Sequence, residues 1–263
     1  MATNTDVDQS TISEPNPIAI AARGKEITGL GILQTTSEKI TAARIEKLIS
    51  AINADRPTGG TDMAYGNKDT QHLRFWNGIS SKAPIIVFVH GGSWQSGTNL
   101  DSIGSAKVDH LTRLGYAFAT ISYTLIPVVT VEEQVQEVAD SLGYLVKNAA
   151  SLGFDPERVI LMGRSSGAHV VTLLGTDLSY VERAGISLDI VHAITDSPGP
   201  VADNLTYGLG TDPERLYAMS PTYHAQAPNA DAFLLLHVHR QGDIRQAVEL
   251  VAGPPPTRSG FGL

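Results

Sequence analysis

The chain of 263 residues contains no cysteine, so disulfides, thiolate metal sites and a cysteine nucleophile are excluded. No apolar run approaches the roughly 18 residues that a membrane-spanning helix needs. The N-terminal "MATNTDVDQSTISEPNPIAIAARGKE" has no basic stretch followed by a long apolar core, so it reads as neither signal peptide nor anchor. A cytoplasmic protein is therefore expected. Basic residues are scarce: 19 Lys and Arg face 27 Asp and Glu, a net charge of −8 that argues against a nucleic-acid partner or an anionic membrane surface. There is no His-Glu-x-x-His and no clustered His/Asp set, so no metal is expected. Neither Gly-x-Gly-x-x-Gly nor a P-loop occurs, so no nucleotide is expected and no cofactor is implied.

What is present is a globular composition, 42% hydrophobic and 17% charged, in a length suited to one sizeable core. Residues 1–30 are polar and weakly patterned and read as a loosely ordered arm; residues 31–263 read as one domain. "SEKITAARIEKLISAINADR" (37–56) predicts an amphipathic helix, with Ile40, Ile45, Leu48, Ile49 and Ile52 at helical spacing. After "RPTGG" the chain alternates strand and helix signals. "HLRFW" (72–76), "PIIVFVH" (84–90), "YAFATISY" (116–123), "RVILM" (158–162), "LDIVHAI" (188–194) and "AFLLLHV" (232–238) predict strands. The continuous apolar run of 84–90 is the pattern of a strand buried on both faces. Residues 130–150 form the clearest helix, capped by Thr130 and Glu133, with Val131, Val135, Val138, Leu142, Leu145 and Val146 on one face. A further helix is expected from Asp212-Pro213-Glu214. This alternation predicts an α/β fold with a mostly parallel sheet and helices on both faces.

Two short motifs carry chemistry. Gly163-Arg164-Ser165-Ser166-Gly167 is Gly-x-Ser-x-Gly, a weak signal alone but here following a buried strand and opening a helix, as a nucleophile elbow does. His90-Gly91-Gly92-Ser93-Trp94 follows another strand. Its backbone N–H groups at Gly91 and Gly92, with that of Ser166, could receive a developing oxyanion. A tight β-to-α turn capped by His90 is the plainer reading of the same residues. Trp94 reads equally well as the wall of an acyl or aromatic pocket and as core packing.

"VFVHGGSW", "GRSSGAH" and their order resemble the α/β-hydrolase superfamily, in particular its His-Gly-Gly carboxylesterases and the kynurenine formamidase-like group, over roughly residues 60–250. The resemblance implies an α/β-hydrolase fold and a serine hydrolase that cleaves small carboxylic esters through an acyl-enzyme. Ser165 would be the nucleophile, and Gly91, Gly92 and Ser166 the oxyanion donors. Arylformamidase-type amide hydrolysis is the alternative chemistry. Arg164 stands where relatives often have His. The acid is expected after the strand 232–238, which gives Asp243, with Asp196 and Asp203 as weaker alternatives.

The family order puts the histidine after the acid, yet "IRQAVELVAGPPPTRSGFGL" contains none. The final strand, its loop and the last helix are therefore expected to be absent, as truncation or a frame change near residue 252 would explain. Of the remaining histidines, His169 should pack one turn along the nucleophile helix, His192 lies in a strand, His224 in a loop, and His72 and His110 on the surface or a helix. His237 and His239 end the strand before Asp243, and His239 is the better substitute base. Without any positioned base a serine hydroxyl is a poor nucleophile, so a non-catalytic hydrolase-fold protein is the contrasting expectation. Oligomeric state is not readable from these features.

Overall fold

A computed structural model describes residues 47, 50–101, 103–187, 191–196, 208–225, 229–230, 232–236 and 250, with backbone alone for 191–196, 235 and 236. The strands are β1 (Thr61–Ala64), β2 (His72–Trp76), β3 (Ala83–Val89), β4 (Ala117–Ile121), β5 (Phe154–Arg164), β6 (Val191–Asp196) and β7 (Phe233–Leu236). They form one sheet in the order β1-β2-β4-β3-β5-β6-β7. β1 and β2 are antiparallel to their neighbours, and the five strands from β4 to β7 are parallel. Parallel neighbours need crossovers, and helices supply them. These are α1 (Gly104–Arg113), α2 (Val131–Lys147), α3 (Ala149–Leu152), α4 (Ser166–Thr176), α5 (Leu178–Arg183), α6 (Pro213–Ala218) and α7 (Pro221–His224).

Alternation along the central strands sorts their side chains onto two faces. Ile85, Val87, Val89, Val159 and Leu161 pack with Val135, Val138 and Leu142 of α2 and Val170, Leu173 and Leu174 of α4. Ile86, Phe88 and Phe118 point the other way, against Ile103, Val108 and the half-buried Ile160 and Met162. Burial on both faces explains why β3 reads as an unbroken apolar run. Each such side chain contributes about 1.5–3 kcal/mol.

The order β4-β3-β5 has a functional consequence. The chain leaves β3 toward β4 on one side and leaves β5 toward β6 on the other. The C-terminal ends of β3 and β5 therefore flank a topological switch point, where open α/β sheets form their ligand crevices.

Most predicted elements are observed with shifted ends. The predicted helix 130–150 runs from Val131 to Lys147, and its capping box is present: Glu133 N–H donates to Thr130 Oγ1 at 3.2 Å, and Thr130 N–H to Glu133 Oε2 at 2.7 Å. Gly153, at φ 72°, ends the short α3 that follows. The predicted helix 37–56 is helical at residues 47 and 50–54 and has ended by Asp55. Asp55, just after it, docks on α1, accepting from the Ser105 hydroxyl at 2.7 Å. The edge strand β1 was not expected. It is largely exposed and lacks an apolar alternation, and bidentate 2.6 Å hydrogen bonds from Arg74 to Asp62 hold it to β2.

Residues 1–30, Asp203, His237, His239 and Asp243 lie outside the described residues, as does the expected loss of the final strand and helix. Leu250 is helical. Among the described residues no helix is long and apolar enough to cross a membrane.

Thr130→Ala removes the side-chain half of the capping box and should cost about 1 kcal/mol. Urea denaturation should show a lower midpoint at unchanged slope; an unchanged midpoint would contradict the cap's contribution.

Candidate active site

β5 ends at Arg164 and α4 begins at Ser166, leaving Ser165 alone to turn the chain, at φ 54° and ψ −122°. A non-glycine residue in such a region costs about 1–3 kcal/mol and persists only where its surroundings enforce it. The two motif glycines are the enforcement. A Cβ on Gly163 would run into the carbonyl of Gly167, and a Cβ on Gly167 would lie 2.5 Å from the His90 carbonyl oxygen and closer still to that of Val89. Neither position has room for a side chain, so strand, turn and helix close on one another through bare backbone. Ser165 is half-buried, and its side chain makes no capping hydrogen bond to α4. Every residue of α4 is buried, and its N-terminal end meets the turn.

The loop after β3 meets the same turn. A Cβ on Gly91 would lie 2.6 Å from the Arg164 carbonyl oxygen and 3.0 Å from Ser165 Cβ. Gly92, Ser93 and Trp94 follow with φ of 132°, 55° and 64°, a run of positive values that curls the loop. The Gly92 carbonyl accepts from the amides of Gln95 and Ser96, both at 3.1 Å. Among the described residues none accepts from the amides of Gly91, Gly92 or Ser93. Ser166 is buried, and as the first residue of α4 its N–H has no partner within the helix. The Gly91 loop and the start of α4 thus meet at the turn that carries the Ser165 hydroxyl. Such an arrangement can hold negative charge on an oxygen bonded to a carbon that Ser165 has attacked.

His90 is 1% exposed, with Nδ1 2.8 Å from the Gly91 carbonyl oxygen, so it belongs to the loop's scaffold. Trp94 is 1% exposed. Its ring packs edge-on against His169 at 5.4 Å, and a Cβ on Gly208 would meet it at 2.9 Å. The sequence leaves pocket wall and core packing both open for Trp94; the structure places the side chain in the core. His169, one turn after Ser165, is buried as expected, with Nε2 2.7 Å from the Met219 carbonyl oxygen. His224 Nε2 reaches the Ala218 carbonyl and His72 Nδ1 that of Asp69, while His110 is exposed on the last turn of α1. His192 lies in β6 in register with Ile160, and Asp196 ends β6 in register with Arg164. No described histidine side chain hydrogen-bonds to Ser165. Sequence reasoning missed Tyr123, which donates to the His90 carbonyl at 2.9 Å. Its one visible signal was a position just past a fully buried strand.

Burial pushes the imidazoles of both His90 and His169 below the ordinary histidine pKa, opposed by their contacts with the Gly91 and Met219 carbonyls. Both rings thus favour the neutral form more than a free imidazole does. Below about pH 6.5 the unfolded chain binds protons that these buried rings refuse, so stability is full above that pH and falls as pH drops toward the lower folded-state values. The thermal midpoint should decline from pH 7 to about pH 5, and His169→Gln should flatten the decline. An identical slope in the variant would contradict a buried neutral His169.

The family model BD-FAE matches residues 76–202, which include both motifs. The isoprenylcysteine alpha-carbonyl methylesterase of Arabidopsis thaliana is 30% identical over 128 residues, 48% of this chain and 30% of the relative. The kynurenine formamidase of Drosophila melanogaster is 32% identical, over 38% of this chain and 36% of the relative. The chain spans between a fifth and about a third of the length of the curated relatives it matches. Among solved structures, esterase B from Lactobacillus rhamnosis superposes with a TM-score of 0.62 at 21% identity, covering 80% of this chain and 76% of that one.

Proposed function

With the α/β-hydrolase fold and a carboxylesterase-like group as its premise, we propose that the chain is a serine hydrolase cleaving small carboxylic esters through an acyl-enzyme on Ser165. The observation that carries this reading is the contact of Gly91 with the strained Ser165, which sets the His-Gly-Gly loop against the turn between β5 and α4. Ser165 Oγ attacks the ester carbonyl. The resulting oxyanion takes hydrogen bonds from the amides of Gly91, Gly92 and Ser166, each worth about 2.7–4 kcal/mol when the site is dry. The tetrahedral intermediate collapses with loss of the alcohol, and water then releases the acid.

The base and its orienting acid are assigned to His239 and Asp243. Chain reach supports the assignment. β7 lies two places from β5 in the sheet, about 10 Å at the usual strand spacing. Three extended residues reach about 10 Å, and His239 is three residues beyond the end of β7. Because β5 and β7 point the same way, the chain leaves β7 at the edge of the sheet that carries Ser165. Arylformamidase chemistry is the second reading, favoured by the likeness to a kynurenine formamidase, since the same site can attack a formyl amide.

The wild-type chain should give a p-nitrophenol burst from p-nitrophenyl acetate or butyrate, stoichiometric with protein, and label with a fluorophosphonate probe. Ser165→Ala should lose both. Equal, near-background rates in the two proteins would contradict the enzyme reading and leave a non-catalytic one.

A further inference from the structure

Tyr123 follows β4, the strand beside β3, and is 2% exposed. Its ring lies flat on the His90 imidazole, with centroids 4.5 Å apart and 11° between the planes. Its phenol donates to the His90 carbonyl oxygen at 2.9 Å. That same oxygen is the one a Cβ on Gly167 would meet at 2.5 Å. The carbonyl is thus gripped by Tyr123 and abutted by the first turn of the nucleophile helix.

This carbonyl shares its peptide unit with the N–H of Gly91. A peptide is planar and trans, so its N–H points opposite to its C=O. Fixing one fixes the other. We propose that Tyr123 is a positioning residue of the oxyanion hole: by holding the His90 carbonyl, its O–H fixes how the Gly91–Gly92 loop sits against the turn at Ser165. The proposal rests on the ester-hydrolase reading of Ser165.

Two further features agree. Burial pushes the Tyr123 phenol to a higher pKa, opposed by the neighbouring Ser166 hydroxyl, so it keeps its proton and remains a donor across neutral and alkaline pH. Ser166 Oγ lies near the phenol but is in hydrogen-bond geometry with no described group, so the hydrogen bond that the phenol makes is the one to the His90 carbonyl. Tyr123 touches no reacting atom in this scheme and acts through the peptide it holds.

Tyr123→Phe keeps the ring stack and removes only the O–H. Losing an entire oxyanion donor costs about 100- to 1000-fold in kcat, so a donor left in place but poorly aimed should cost about 10- to 100-fold, with KM within about twofold. The rate ratio between p-nitrophenyl acetate and its thionoester analogue should also fall, because sulfur accepts an amide hydrogen bond poorly and gains little from the hole. A merely structural role would not move that ratio. Tyr123→p-aminophenylalanine keeps a donor on the ring and should restore most of kcat; it reads the same point should the phenylalanine variant fail to fold. An active wild type with kcat and thionoester ratio unchanged in Tyr123→Phe, or a donor-bearing variant as slow as a donor-free one, overturns the proposal alone. A wild type no faster than Ser165→Ala overturns the reading of Ser165 and the proposal with it.

Discussion

The end of β3 and the turn after β5 meet backbone to backbone, and the rest of the site depends on that meeting. Gly167 lies against the carbonyls of Val89 and His90, and Gly91 against Arg164 and Ser165. A methyl group on either glycine would push the two strand ends apart. The closeness has a cost, because Ser93, Trp94 and Ser165 all take positive φ, at about 1–3 kcal/mol each. Burial offsets it: Val170, Val171, Leu173 and Leu174 of α4 are all 0% exposed and contribute about 1.5–3 kcal/mol apiece. The strained turn is held closed by the helix it begins.

Around this contact the fold supplies direction. Parallel strands place their C-terminal ends at one edge, and the connection reverses between β3 and β5, the point where open α/β sheets form their crevices. The described residues 208–219, between β6 and β7, are tied to the helices and the loop around it. Met219 accepts from His169 of α4, Gly208 packs on Trp94, and Arg215 makes a bidentate pair with Glu132 of α2 at 2.6 and 2.7 Å. The buried rings of His90 and His169 are each tied to a backbone carbonyl and belong to the scaffold.

The parts legible in the sequence were those with a local cause. β3 and β5 declared themselves because burial on two faces forces continuous apolar runs, and the α2 cap because both of its residues lie within one turn. The two glycine motifs were legible because a close backbone approach needs glycine wherever it occurs. His169 could be placed in the packing because it lies one turn from Ser165. β1 and α1 escaped notice for the converse reason: β1 is largely exposed, and only Gly104 and Val108 of α1 are buried. Tyr123 was invisible as more than a strand residue, since its partner is a carbonyl 33 residues away in the chain. Trp94 stayed ambiguous because only the fold decides whether a ring beside a turn faces a cleft or the core.

The most direct test of the central claim is a crystal structure of the chain after reaction with a fluorophosphonate. The account predicts phosphorus bonded to Ser165 Oγ, with the phosphoryl oxygen about 2.7–3.1 Å from the amides of Gly91, Gly92 and Ser166. Phosphorus on a different side chain, or a phosphoryl oxygen turned to solvent with those amides unused, would contradict it.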